Sequence, residues 1–177
     1  MTGIVVATDE EQLLSRISNL IARAADDAIS RDDRIFRFGV SGGSVVQLLA
    51  KSLPNIATDW SKWRFFFCDE RVVPLDDSES NFGLYKSCLI GKVPVTEEQF
   101  MKVDPELNAP PSRISLTMPV INNARMCVFI VTGASKAEIV KRILRDKEDL
   151  PATRVEPVDG TLFWLLDQEA GRLLNSD

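Results

Sequence analysis

The 177-residue sequence predicts an α/β fold, an open and mostly parallel sheet with helices on both faces. Three observations carry that expectation. Short β-branched or aromatic runs alternate with segments of helical periodicity along the chain. Two runs end in glycine-containing turns that lead directly into a helix, at Gly42-Gly43-Ser44 and at Gly133-Ala134-Ser135-Lys136. A third, Trp63-Arg64-Phe65-Phe66-Phe67-Cys68, is too continuously apolar for a strand with one wet face, which predicts a central position covered on both sides. No internal repeat, low-complexity tract or linker interrupts the pattern, so residues 1–177 are expected to form one domain.

Taken in order, residues 3–7 are β-branched and apolar, as in a buried strand. Thr8-Asp9-Glu10-Glu11 resembles a capping box, and Leu13, Leu14, Ile17, Leu20, Ile21, Ala24, Ala25 and Ala28 follow at helical spacing. Arg31-Asp32-Asp33-Arg34 is a charged turn, and residues 35–40 are the strand that feeds the first glycine turn. A second helix is expected to run to Leu53, where Pro54 stops it. After the aromatic strand come a polar loop, a short helix over 81–89 and a short strand over 100–103. Residues 104–111 have loop composition, and 113–118 alternate like a strand with one wet face. Residues 126–131 form another apolar strand, followed by the second turn and a helix with Ile139, Val140, Ile143 and Leu144 at core spacing. A strand over 162–166 and a short helix over 168–174, capped by Asp167, complete the pattern.

Composition narrows the function. A hydrophobic content of 45% suits a sizeable core. A formal net charge of −5 and a pI near 4.9 argue against a nucleic-acid surface, which needs clustered surplus Lys and Arg. The amino-terminal Met-Thr-Gly-Ile-Val-Val-Ala carries no basic region of the kind a signal peptide has, and no apolar run approaches the roughly 18 residues of a membrane span. Cys68, Cys88 and Cys127 are odd in number and not at metal-ligand spacing, which suits reduced thiols in a cytoplasmic protein. The sequence contains no histidine. That removes Ser-His-Asp and Cys-His catalysis, His-ligated zinc and any imidazole general base.

Candidate binding residues cluster at strand ends, where open α/β sheets place their ligands. Gly42 and Gly43 allow positive φ and close backbone approach, and Ser44 is placed to cap the following helix. Such a turn is either a plain strand-to-helix connection or a seat of free N–H groups for a phosphate or carboxylate. It is neither a dinucleotide fingerprint nor a Walker A loop. Asp69-Glu70-Arg71 is either an ion pair closing a strand or a guanidinium fork for phosphate, oriented by Asp69 or Glu70. Asn81 is either a helix cap or a partner for ligand hydroxyls, and Lys136 either a solvated first-turn lysine or an anion contact.

Five segments together resemble the 6-phosphogluconolactonases of the glucosamine/galactosamine-6-phosphate isomerase superfamily. They are Val40-Ser41-Gly42-Gly43-Ser44, Phe67-Cys68-Asp69-Glu70-Arg71-Val72-Val73-Pro74, Asp77-Ser78-Glu79-Ser80-Asn81, residues 113–125, and Thr132-Gly133-Ala134-Ser135-Lys136. The likeness covers nearly the whole chain and is closer to the animal cytosolic form than to the sister glucosamine-6-phosphate deaminases. It implies a Rossmann-like fold and hydrolysis of 6-phospho-D-glucono-1,5-lactone to 6-phospho-D-gluconate, the second step of the pentose phosphate pathway, with no metal or organic cofactor. It also implies a small phosphosugar lactone as sole partner and a monomer. By resemblance Gly42, Gly43 and Ser44 belong to the sugar-phosphate pocket, Arg71 and Asp69 contact the substrate, and Lys136 helps hold the phosphate. Asn81 is a weaker candidate.

The chain departs from that family in one place. Its members carry a helix, an inner strand and a Gly-Pro-Asp-Gly-His segment, with the general-base histidine, where this chain passes directly through Asn108-Ala109-Pro110. The catalytic base is therefore unassigned, and one inner strand is expected to be missing. This fits a shortened variant, such as a splice product, of a lactonase, or a non-catalytic phosphosugar-binding relative. A chain without the strand would also present an open sheet edge, which favours association. An aminosugar-phosphate deaminase is the alternative enzyme, and it ordinarily needs the same missing acid-base group.

Overall fold

The computed structural model describes residues 2–31, 34–104 and 113–174, and the junction at Asn108-Ala109-Pro110 lies outside them. The chain divides into two compact units, Met1–Arg16 with Thr117–Asp177, and Ile17–Leu116. Both are α/β, with parallel strands and helices, as the alternation of periods predicts.

The first unit is built on a three-stranded parallel sheet. Its order is β1 (Thr2–Ala7), β7 (Thr161–Asp167), β6 (Met126–Val131). Helix α5 (Ala137–Leu144) lays Val140, Ile143 and Leu144 into a core with Leu162, Trp164, Leu166 and Ala170. Trp164 stacks on Phe129 at 4.1 Å between ring centroids. Helices α4 (Met118–Asn122) and α6 (Gln168–Gly171) are short. The 113–118 run is not one strand, because Met118-Pro119 starts α4, with Pro in its first turn where a missing N–H costs nothing.

The second unit carries a parallel pair, β2 (Phe36–Val40) with β3 (Trp63–Phe67), and an antiparallel ribbon, β4 (Asp69–Arg71) with β5 (Arg113–Ser115). Its core is aromatic. Trp63, Phe65, Phe82 and Tyr85 are almost wholly buried, Phe36 meets Trp63 edge-on at 4.7 Å, and Phe65 stacks on Phe100 at 4.4 Å. Burying each such ring contributes roughly 1.5–3 kcal/mol. The expectation that β3 is covered on both faces fails in part. Trp63, Phe65 and Phe67 are buried, while Arg64 is exposed and Phe66 half-buried. The ring of Phe66 lies across Gly39 of β2, where any side chain would collide with it. Only a single bridge at Phe65 and the bond from Met101 N to Phe65 O represent the strand expected over 100–103.

Helix α1 (Glu10–Ile29) contributes Leu13 to the first unit and Ile17, Ile21 and Ala25 to the second, all buried. Its cap is shifted one residue from the expected Thr8/Glu11 pair. Asp9 accepts from Gln12 N at 2.8 Å, and Gln12 Oε1 accepts from Thr8 N at 2.9 Å. Helix α2 (Val45–Ser52) ends at its C-cap Leu53, just before Pro54 as expected, and a 3₁₀ turn over Leu53–Asn55 follows it. Helix α3 (Asn81–Cys88) forms as expected. Among the described residues no helix is long and apolar enough to cross a membrane.

Candidate functional site

In the second unit the backbone leaves β2 through Ser41 and turns at Gly43, whose φ of 75° is left-handed and favours glycine. Gly43 and Ser44 are exposed. Ser44 does not cap α2 with its side chain as expected. Its φ of −61° and ψ of −24° are already helical, which turns the hydroxyl away from the N–H groups a cap would bind. The turn is closed by Val46 N, which donates to Gly43 O at 3.2 Å.

The Asp69-Glu70-Arg71 triplet is not a loose strand end. It forms β4, paired with β5 so that Asp69 lies opposite Ser115 and Arg71 opposite Arg113. Alternation along a strand sends Glu70 inward and its neighbours outward. Glu70 is 2% exposed, and its oxygens accept from the N–H groups of Arg71, Asn81 and Phe82, each at 2.8 Å. Asp69 stays half-buried, with its carboxyl 3.9 Å from the Arg113 guanidinium. Nη1 of Arg71 donates to Glu79 O at 2.9 Å, while its Nε is buried with no partner. A buried donor without an acceptor costs about 1–3 kcal/mol.

Asn81 is not the helix cap. Ser80 is the cap, accepting from Gly83 N at 3.1 Å, and Asn81 is the first helical residue. Its Nδ2 donates to Asp69 O at 2.8 Å. Its Oδ1 lies so close to Gly42 that a methyl there would fall 1.9 Å from it. Gly42 is thus required for space and Gly43 for its φ. A second tie runs from Tyr85 Oη to Ser41 O at 2.8 Å. Burial pushes the Tyr85 phenol well above the ordinary range, and burial also raises the Cys68 thiol beside Ser41. Asp69, Glu70, Arg71 and Asn81 therefore form one hydrogen-bonded cluster against which Gly42 packs, with Gly43 and Ser44 following Gly42 in the chain.

The second glycine turn belongs to the other unit. Gly133, at φ 93°, leads a 3₁₀ turn over Ala134–Lys136, and Lys136 is exposed at the start of α5. Both oxygens of Asp167 accept from Gly133 N, at 3.1 and 2.9 Å, and Oδ1 also accepts from Ala170 N at 2.7 Å. Asp167 caps α6 as expected and additionally ties down the turn.

Sequence reasoning overlooked Glu70 as a clamp and Tyr85 as a tie. The first depends on β4 forming as a strand, which its pairing with the distant β5 decides. The second needed the tertiary structure, because 44 residues separate Tyr85 from Ser41.

An α/β fold with a glycine turn and a charged triplet at strand ends defines the structural class. Comparison with known proteins makes the assignment specific. The family "Glucosamine-6-phosphate isomerases/6-phosphogluconolactonase" matches residues 8–109 and 102–164, and the chain belongs to this family. The 6-phosphogluconolactonase of Rattus norvegicus is 30% identical over 240 positions, spanning 97% of this chain and 93% of the rat protein. A probable 6-phosphogluconolactonase of Drosophila melanogaster is 32% identical over 229 positions, spanning 96% of this chain and 94% of that protein. The crystal structure of 6-phosphogluconolactonase from Thermotoga maritima shares the fold, with a TM-score of 0.78 at 19% identity, covering 94% of this chain and 100% of that one. That from Leishmania guyanensis also has a TM-score of 0.78, at 17% identity, covering 99% of this chain and 100% of that one.

Two features of these matches bear on the missing segment. The 240 positions of the rat alignment exceed the 177 residues here, so at least 63 of them have no counterpart in this chain. The family match also falls into two pieces that overlap at 102–109, the stretch containing Asn108 and Ala109.

Proposed function

We propose that this chain binds 6-phospho-D-glucono-1,5-lactone and hydrolyses it to 6-phospho-D-gluconate, the second step of the pentose phosphate pathway. The observation that carries this reading is the buried, unpartnered Nε of Arg71, in a chain that also has an exposed glycine turn at Gly43 and whose relatives are lactonases. Gly42, Gly43 and Ser44 would present the turn to the phosphosugar, Arg71 its guanidinium fork, and Asp69 a half-exposed carboxyl. Lys136 belongs to the other unit and is left out of this site. The residues 1–177 would act as one such domain, monomeric and cytoplasmic, with no organic cofactor.

Lactone hydrolysis needs a held substrate, a stabilised oxyanion and an activated water. Arg71 supplies charge for the first two. With no histidine in the chain, water attacks the lactone carbonyl without imidazole assistance, and the ring C–O bond breaks at a rate expected about 10²–10⁴-fold below that of a histidine-bearing relative. A coupled assay that follows lactone disappearance with the purified protein tests this. A rate above the spontaneous one that falls with Arg71→Ala supports catalysis.

The absent histidine and the unmatched positions favour a second reading, a phosphosugar-binding variant without activity. Tight binding of 6-phosphogluconate with a lactone decay equal to buffer selects it. Absence of binding rejects both.

A further inference from the structure

We propose that Glu70 is a positioning residue of this cradle, a buried carboxyl group that sets Asn81 and, through Asn81, the glycine turn. The inference rests on the phosphosugar reading above and extends it to a residue that touches no ligand in that reading.

The N–H groups of Asn81 and Phe82 open α3 and have no intrahelical acceptor. Glu70 supplies one to each, and the positive end of an eight-residue helix reinforces both bonds. The same side chain accepts from Arg71 N, so the backbone of the guanidinium-bearing residue and the start of α3 are referenced to one group. From there the contacts are continuous. Asn81 bonds to Asp69 O through Nδ2 and presses Oδ1 against the one position, Gly42, that has no side chain to refuse it. Tyr85, one turn further along α3, holds Ser41. Helix α3 is thereby a strut between β4 and the turn, and Glu70 anchors its end. A displacement of α3 by a few tenths of an ångström would reach Ser41 and Gly42 together, because both touch it.

Glu70→Gln keeps the volume and one acceptor oxygen but turns an amide donor toward an N–H. The test measures calorimetric binding of 6-phosphogluconate to the full chain for Glu70→Gln, Asn81→Ala and the double variant, with thermal melting alongside. Each single variant is expected to melt cooperatively and to bind about tenfold more weakly, the scale of one well-made hydrogen bond. Glu70→Gln is expected to add less than about twofold in the Asn81→Ala background, because the route through Asn81 is already cut. A purely structural Glu70 predicts full multiplication of the two losses. Multiplication, or unchanged binding by Glu70→Gln, overturns the proposal.

A ligand-free arm separates this from the functional reading. In amide NMR spectra Glu70→Gln should shift Gly42 and leave Gly133 in place. If the unmutated chain does not bind 6-phosphogluconate, the functional reading fails and this arm decides alone: a Gly42 shift supports the strut and an unmoved Gly42 rejects it. If Glu70→Gln does not fold, Asn81→Ala decides by the same two readouts.

Discussion

The two glycine turns look alike in sequence and are wired differently. Each follows an apolar parallel strand, places a glycine at positive φ and leads into an eight-residue helix. Each is restrained through a carboxyl group. At Gly133 that group is Asp167, half-buried, holding the turn's own N–H and capping a four-residue helix. At Gly42 the group is Glu70, almost fully buried, and it holds the turn only indirectly through α3. A direct clamp consumes the N–H it restrains. An indirect one spends none of the turn's own donors on the carboxyl group.

The comparison predicts unequal costs of removing the clamps. Glu70→Ala strands three N–H groups in a buried site and should cost about 3 kcal/mol or more, since each orphan costs about 1–3 kcal/mol. Asp167→Ala should cost about 1–2 kcal/mol, a typical cap value, because water can replace it. Urea denaturation of both variants checks the order, and equal costs would break the distinction between buried and surface wiring.

For binding, Arg71→Ala should weaken 6-phosphogluconate affinity by about 10–100-fold, the range of a charge-assisted pair. Titration calorimetry at two salt concentrations sharpens this, because the share of the buried Nε should persist as salt rises.

The glycines themselves form a third pair. Gly43→Ala meets open space but a strained φ, and should cost about 1 kcal/mol of stability. Gly42→Ala collides with Asn81 and should perturb ligand affinity more than Gly43→Ala does. Melting and calorimetry on the two variants read these effects separately.

The smallest effect concerns Tyr85. Its raised phenol keeps its proton in the folded chain while the unfolded chain loses it near the ordinary value of 10.0. The unfolded state then binds fewer protons, so stability falls as pH rises past about 10. Tyr85→Phe should cost about 1 kcal/mol at neutral pH through the lost bond to Ser41 and flatten that alkaline decline. Denaturation curves at pH 7 and 10.5 test it.

Local pattern alone located α1, α3, α5, β2, β3, β6 and β7, because their periods of 3.6 and 2 are written in consecutive residues. It also located the candidate anion contacts at strand ends, since turns declare themselves through glycine and the charged triplet through its position after an apolar run. It missed the cap at Ser80, the ribbon formed by β4 and β5, and the half-open face of β3. Each of those depends on what lies opposite in space. Asp69 and Ser115 are 46 positions apart in the chain, and nothing near either one announces the pairing.

The sequence by itself determined the alternation of strands and helices, the absence of any imidazole and the residue types available to hold a phosphorylated sugar. Only the tertiary structure decided which of Asp69 and Glu70 faces solvent, why Gly42 has no room for a side chain, and that Arg71 keeps a buried donor unspent. The reason is physical. Periodicity is a property of neighbours along the chain, whereas burial and hydrogen-bond partnership are properties of groups that folding brings together from far apart.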